Sequence, residues 1–197
     1  MFIKDWKKEI CSIPNFLSLF RLALIPVYII IYLNAVSAGD YFIAAAILAV
    51  SCLTDMIDGK IARHFNMVST VGKILDPLAD KATQFSLILC LSLKYPVLWF
   101  LIALFITKES FQLIAGGINL KKGIMLKGAL LSGKICTTVL FVSLIVLVMI
   151  PTLSLTVVNI ITIVDALFML VAFGDYIFAY FANSSKFQTL DESAQDM

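Results

Sequence analysis

Charge is what this chain has least of. Of its 197 residues, only 14% are Asp, Glu, Lys or Arg, against roughly 25% in ordinary soluble domains. Hydrophobic residues make up 61%, and the mean hydropathy is +1.00. A soluble globule of this length still exposes about a third of its chain surface, and there is too little polar surface here to cover it. That excludes a soluble enzyme and a disordered chain. The net charge of +2 is too small to call for a nucleic-acid partner. Histidine occurs once, at His64. The cysteines Cys11, Cys52, Cys90 and Cys136 are far apart, so C-x-x-C zinc or redox spacing is absent. They read as small buried hydrophobes, with no disulfide framework. What remains is an all-α integral membrane protein.

Six apolar stretches are long enough to cross a bilayer of about 30 Å, which takes about 20 residues. They lie near 15–36, 41–63, 72–93, 96–116, 129–149 and 155–181. Polar or turn-forming segments separate them: Asn34 to Asp40, His64 to Thr70, Tyr95-Pro96, Gly116 to Lys127, and Pro151 to Ser154. Residues 1–12 mix Lys4, Asp5, Lys7, Lys8 and Glu9 with Phe2, Ile3 and Trp6. They predict a short amphipathic helix on the membrane surface rather than a cleavable signal. The polar tail, 183–197, is expected to fray. So little lies outside the spans that a single domain over 1–197 is expected. Of the 15 Lys and Arg residues, all but Lys94 fall on one side of this arrangement or in helix ends facing it. The positive-inside rule then places both termini in the cytoplasm, with the protein in the cell membrane.

The rare acids are concentrated. The second stretch ends Thr54-Asp55-Met56-Ile57-Asp58-Gly59-Lys60-Ile61-Ala62-Arg63, and the third begins Gly72-Lys73-Ile74-Leu75-Asp76-Pro77-Leu78-Ala79-Asp80-Lys81. Asp55 and Asp58 are three apart and Asp76 and Asp80 four apart, so each pair shares a helix face. A short loop makes the two helices antiparallel neighbours, and four carboxylates then converge at their cytoplasmic ends. Such a cluster needs a cation. Arg63, Lys73 and Lys81 offer an ion-pair network. An all-oxygen site without His or Cys suits Mg²⁺, Mn²⁺ or Ca²⁺, and four carboxylates can hold two ions for a phosphoryl-type displacement. A cation-transport path is the third reading. Gly59 lets a ligand approach the helix closely, or serves helix packing with Ala62. The planar fork of Arg63 suits a phosphate.

The pattern Asp55-x2-Asp58-Gly59-x2-Ala62-Arg63, eight residues, Gly72-x3-Asp76-x3-Asp80 resembles the signature of the CDP-alcohol phosphatidyltransferases at every position. The run Pro14-Asn15-x2-Ser18-x2-Arg21 and the segment Leu75 to Lys81 resemble the phosphatidylglycerophosphate synthase and cardiolipin synthase branch. The resemblance implies transfer of a phosphatidyl group from CDP-diacylglycerol to an alcohol, with release of CMP. It implies two Mg²⁺ or Mn²⁺ ions on Asp55, Asp58, Asp76 and Asp80, with Asp80 as the base for the acceptor hydroxyl. It also implies nucleotide contacts from Gly59, Ala62, Arg63 and Gly72, with Asn15, Ser18 and Ser69 nearby. A homodimer among membrane lipids follows from the same resemblance.

The signature does not name the acceptor. A phosphorylated one needs cations, and the candidates are Arg21, Lys108, Lys121, Lys122, Lys127 and Lys134. The last four also fit headgroup contact. Lys108-Glu109 interrupts an apolar span, and such a pair usually faces a cavity. Family members of the glycerol phosphate branch often have Arg-Glu there, and a second Lys where this chain has Cys136. Glycerol 3-phosphate is the favoured acceptor, and phosphatidylglycerol, which would make a cardiolipin synthase, the second. A small divalent-cation transporter is the reading from another class, with Asp165 alone as thin support for a path across the membrane; Asp165 and Asp175 are lone acids in the last span. His64 reads as a headgroup-level residue rather than a catalytic one.

Overall fold

The structure, a computed structural model, describes residues 13–64, 72–126, 130–182 and 187–189. Six helices run through them: α1 (Ile13–Leu33), α2 (Ala38–His64), α3 (Gly72–Lys94), α4 (Leu98–Lys121), α5 (Leu131–Met149) and α6 (Leu155–Ala182). They coincide with the six apolar stretches to within a few residues. Four of them, α1, α4, α5 and α6, are long and apolar enough to cross a membrane, and Ala38–Ser51 of α2 is a shorter apolar run. The amphipathic helix expected over 1–12 lies outside the described residues.

The expected fold is purely helical, and the structure adds one small ribbon. β1 (Ile124–Leu126) pairs antiparallel with β2 (Phe187–Thr189), Met125 opposite Gln188. The tail is therefore not frayed at 187–189. Ile124, Phe187 and Thr189 are residues that suit an extended chain. Gly123, at φ +75, closes α4 in the left-handed conformation that glycine adopts freely. Its N–H donates to Leu120 O at 3.0 Å.

Contacts divide the chain into two compact units, residues 1–94 with 144–153, and 95–143 with 154–197. In the first, α1 packs on both α2 and α3. Ala44, Ala45 and Leu48 of α2 and Ala79, Leu87, Ile88 and Leu91 of α3 are buried there. Small side chains let the backbones approach where no solvent-driven collapse is available. Phe16, Leu19, Phe20 and Ile30 of α1 face outward, while Asn15, Ser18 and Arg21 face inward. That inversion of the soluble pattern is what a hydrocarbon surround requires.

Local chemistry explains the ends. Ser37 and Asp40 form a reciprocal capping box at the start of α2. The Ser37 N–H donates to Asp40 Oδ2 at 2.8 Å, and the Asp40 N–H donates to Ser37 Oγ at 3.3 Å. Lys94, the exception to the charge asymmetry, donates to Pro151 O at 2.9 Å and stands 5.0 Å over the Tyr41 ring, a cation–π contact. In the second unit α4 packs on α6. Phe111 meets Phe173 edge-on at 5.3 Å.

Candidate active site

Asn15, Ser18 and Arg21 recur at intervals of three residues, so they line one face of α1. All are buried, Arg21 to 2% exposure and Ser18 completely. A guanidinium at that depth needs an anionic partner. The first turns of α3 provide it. Asp76 and Asp80 stand one turn apart, with the fully buried Ala79 between them. Ser18 Oγ donates to Asp76 Oδ1. Arg21 Nη1 donates to Asp80 Oδ1 as an ion pair. The Arg21 side chain is 2% exposed and that of Asp80 is 41% exposed. The ion pair therefore runs from the packed interior to an open surface. α1 orients one oxygen of each carboxylate, and Asp80 still presents surface to a ligand.

Pro77 lies inside α3. It has no N–H for the carbonyl of Lys73, which therefore lacks its usual helical donor on the turn that carries Asp76. Below this turn Thr83 Oγ1 donates to Ala79 O, and Ser86 Oγ to Ala82 O, both at 2.8 Å.

Asp55, Asp58, Gly59, Ala62 and Arg63 stand on the last turns of α2, and Gly72 opens α3. Nothing beyond these helix positions is described for them. Ser69 lies outside the described residues. Among the described residues no cluster of three or more metal-ligating side chains occurs. The described half of the expected donor set, Asp76 and Asp80, fits a divalent ion. It is all oxygen, lies on one helix face, and carries two carboxylates whose orientation α1 already holds.

The proposed acceptor-binding lysines belong to the second unit. Lys108 continues the buried stripe of Leu98, Leu101, Ile102 and Phe105 on α4, and its Nζ meets Glu109 Oε1 at 2.5 Å. Lys121, Lys122 and Lys134 are exposed, and Lys127 lies outside the described residues. Asp165 of α6 is 1% exposed.

Sequence reading assigned Ser18 to the nucleotide and Arg21 to an acceptor phosphate. The structure adds that both hold the carboxylates of α3. The signal was present in three polar residues at three-residue spacing within an apolar helix. Tyr28 and Ser51 are also buried, with hydroxyls unpartnered among the described residues. A single hydroxyl in an apolar run carries no motif.

The chain matches the profile of the family described as CDP-alcohol phosphatidyltransferase over residues 11–173. It is 32% identical over 105 residues to a probable phosphatidylglycerophosphate synthase of Mycobacterium tuberculosis, covering 52% of this chain and 50% of that protein. It is 34% identical over 114 residues to a putative cardiolipin synthase of Mycobacterium bovis, covering 58% and 52%. A CDP-diacylglycerol–glycerol-3-phosphate 3-phosphatidyltransferase of Rickettsia bellii is 42% identical over 71 residues, 36% of this chain and 38% of that one. The chain thus spans about half the length of the curated relatives it matches.

Proposed function

The chain belongs to the CDP-alcohol phosphatidyltransferase family, and from that premise we propose that it is a transferase that moves the phosphatidyl group of CDP-diacylglycerol to glycerol 3-phosphate, releasing CMP and forming phosphatidylglycerophosphate. The observation that carries the reading is the α1–α3 face, where Ser18 and Arg21 hold Asp76 and Asp80 at an open surface. Relatives named for glycerol 3-phosphate transfer support the acceptor.

Family members generally use divalent metal ions. Here Asp55, Asp58, Asp76 and Asp80 would hold two, Mg²⁺ or Mn²⁺. When bound they supply neutralisation of the diphosphate and of charge at the attacked phosphorus. Asp80 takes the proton of the acceptor hydroxyl as its oxygen bonds to the β-phosphorus of the CDP unit. The bond from that phosphorus to the CMP oxygen breaks, and CMP leaves with the electron pair. Ser18 and Arg21 fix the two carboxylates in place. Asn15, Ser18, Gly59, Ala62, Arg63, Ser69 and Gly72 bind the nucleotide end. Arg21, Lys108, Lys121, Lys127 and Lys134 supply the positive charge for the acceptor phosphate.

The architecture belongs to the same proposal. All six helices cross the cell membrane within one domain, both termini and the site face the cytoplasm, and two copies form a homodimer. The acyl chains then stay in lipid while the headgroup reacts at the helix ends.

Cardiolipin synthesis is the second reading, favoured by relatives of that name at the same level of identity. Nothing observed favours a cation transporter. CMP release measured with CDP-diacylglycerol, Mg²⁺ and each acceptor in turn tests the proposal. Release with glycerol 3-phosphate is expected. Release with phosphatidylglycerol alone would make the protein a cardiolipin synthase, and no release with any acceptor would remove the enzyme reading.

A further inference from the structure

The two contacts that α1 makes with the α3 carboxylates orient alike and differ in charge. Ser18 holds Asp76 through a hydroxyl and brings no charge to it. Arg21 holds Asp80 through a guanidinium, which keeps its proton in proteins and is therefore a fixed positive charge. The Arg21 side chain is 2% exposed, so water does little to screen it. The Asp80 side chain is 41% exposed, so a cation drawn to its open side meets a carboxylate whose charge Arg21 already balances. A carboxylate pair with a built-in cation beside it holds a lone divalent ion weakly. A diphosphate reverses the balance. Mg²⁺ is usually bound by one or two carboxylates together with substrate phosphates, and the negative charge of the diphosphate offsets the guanidinium.

We propose that Arg21 is an internal counter-ion that makes a divalent metal ion and CDP-diacylglycerol bind cooperatively. Each binds weakly alone, and each raises the affinity of the other by the same factor, as linkage requires. The site then takes up its metal with the lipid nucleotide rather than before it. Arg21 acts through Asp80 and touches no reacting atom, so it is a positioning residue whose charge sets the coupling. The inference rests on the function proposed above, which supplies both ligands.

The test counts Mn²⁺ bound to the full-length protein by electron paramagnetic resonance, with and without CDP-diacylglycerol and with no acceptor present. In the wild type CDP-diacylglycerol should tighten Mn²⁺ binding roughly tenfold, within the usual range of coupling between two ligands. No such tightening overturns the proposal without recourse to any variant. Arg21→Met should bind Mn²⁺ roughly tenfold more tightly than the wild type when CDP-diacylglycerol is absent, and should lose most of the enhancement when it is added. Arg21→Lys, which keeps the charge, should stay close to the wild type, and Ser18→Ala should not gain affinity. A partner that only orients the carboxylate predicts the opposite sign, since its loss weakens metal binding. Unchanged or weaker Mn²⁺ binding in Arg21→Met, or an equal gain in Ser18→Ala, therefore overturns the counter-ion role. CMP release by the wild type separates this claim from the one beneath it. With CMP released and no gain in Arg21→Met, the counter-ion role falls alone. With no CMP released and no Mn²⁺ bound in either condition, the assigned reaction falls and takes the counter-ion role with it.

Discussion

At the residue scale the account turns on two contacts. Arg21 holds Asp80 and Ser18 holds Asp76, and these contacts divide the labour between α1 and α3. Asp80→Asn keeps the size and loses the base. It should leave CDP-diacylglycerol binding within a few-fold of wild type while abolishing CMP release, and equilibrium binding alongside turnover checks both halves. Arg21→Met removes a buried cation of similar length. It should lower kcat on the order of a hundredfold, the upper range for an orienting partner, and raise KM for glycerol 3-phosphate. Arg21→Lys should recover only part, because an ammonium cannot reproduce the planar fork. Unchanged kcat in Arg21→Met would show that the ion pair has no part in turnover. The α3 carboxylates were legible in the sequence because four acids in a charge-poor chain need a reason. Their partners on α1 were legible only as a spacing, since which helix meets which is decided by packing.

Among the elements, two junctions carry testable consequences. A Cβ added at Gly133 would lie 2.7 Å from Tyr176 Oη and 3.0 Å from its ring. The glycine therefore leaves room for the Tyr176 side chain against α5 within the second unit. Gly133→Ala should lower Tm by several degrees, and adding Tyr176→Phe should restore part of that loss. Thermal unfolding in detergent checks both, and an unshifted Tm in Gly133→Ala would contradict the packing. The second junction is the capping box before α2. Backbone and side-chain bonds from Ser37, together with the Val36 N–H, hold the Asp40 carboxyl below the usual carboxylate range. A depressed folded pKa means that the stabilisation is present above the unfolded value of about 3.9 and is lost as pH falls through the lower folded value. The Tm gap between wild type and Asp40→Ala should thus be open at neutral pH and close in acid. The helix spans were readable from hydropathy alone. The β1–β2 ribbon was not, because three-residue strands leave no periodic trace and their pairing joins segments far apart in sequence.

Across the whole molecule, charge scarcity is the organising fact. Apolar side chains face outward along α1, and its few polar groups face inward, the arrangement that a lipid surround requires. The proposed topology puts the α1–α2 and α5–α6 turns on one side of the membrane and the α4–α5 segment on the other. Single cysteines at Ser37 and Ser154, in a background lacking the native four, should react with an impermeant thiol reagent on intact cells. One at Lys122 should react only after permeabilisation. The reverse pattern would invert the orientation. Lys94, which breaks the charge asymmetry in sequence, does not weaken that expectation, since it is engaged locally with Tyr41 and Pro151.

The most direct test of the central claim is product analysis by mass spectrometry. The purified chain is given CDP-diacylglycerol, glycerol 3-phosphate and Mg²⁺, and lipid product and CMP are counted together. Phosphatidylglycerophosphate equal to the CMP released, dependent on the metal and absent in Asp76→Asn and Asp80→Asn, is the predicted result. CMP without the lipid product, or wild-type yield from Asp80→Asn, would contradict a transfer site built on the α1–α3 face.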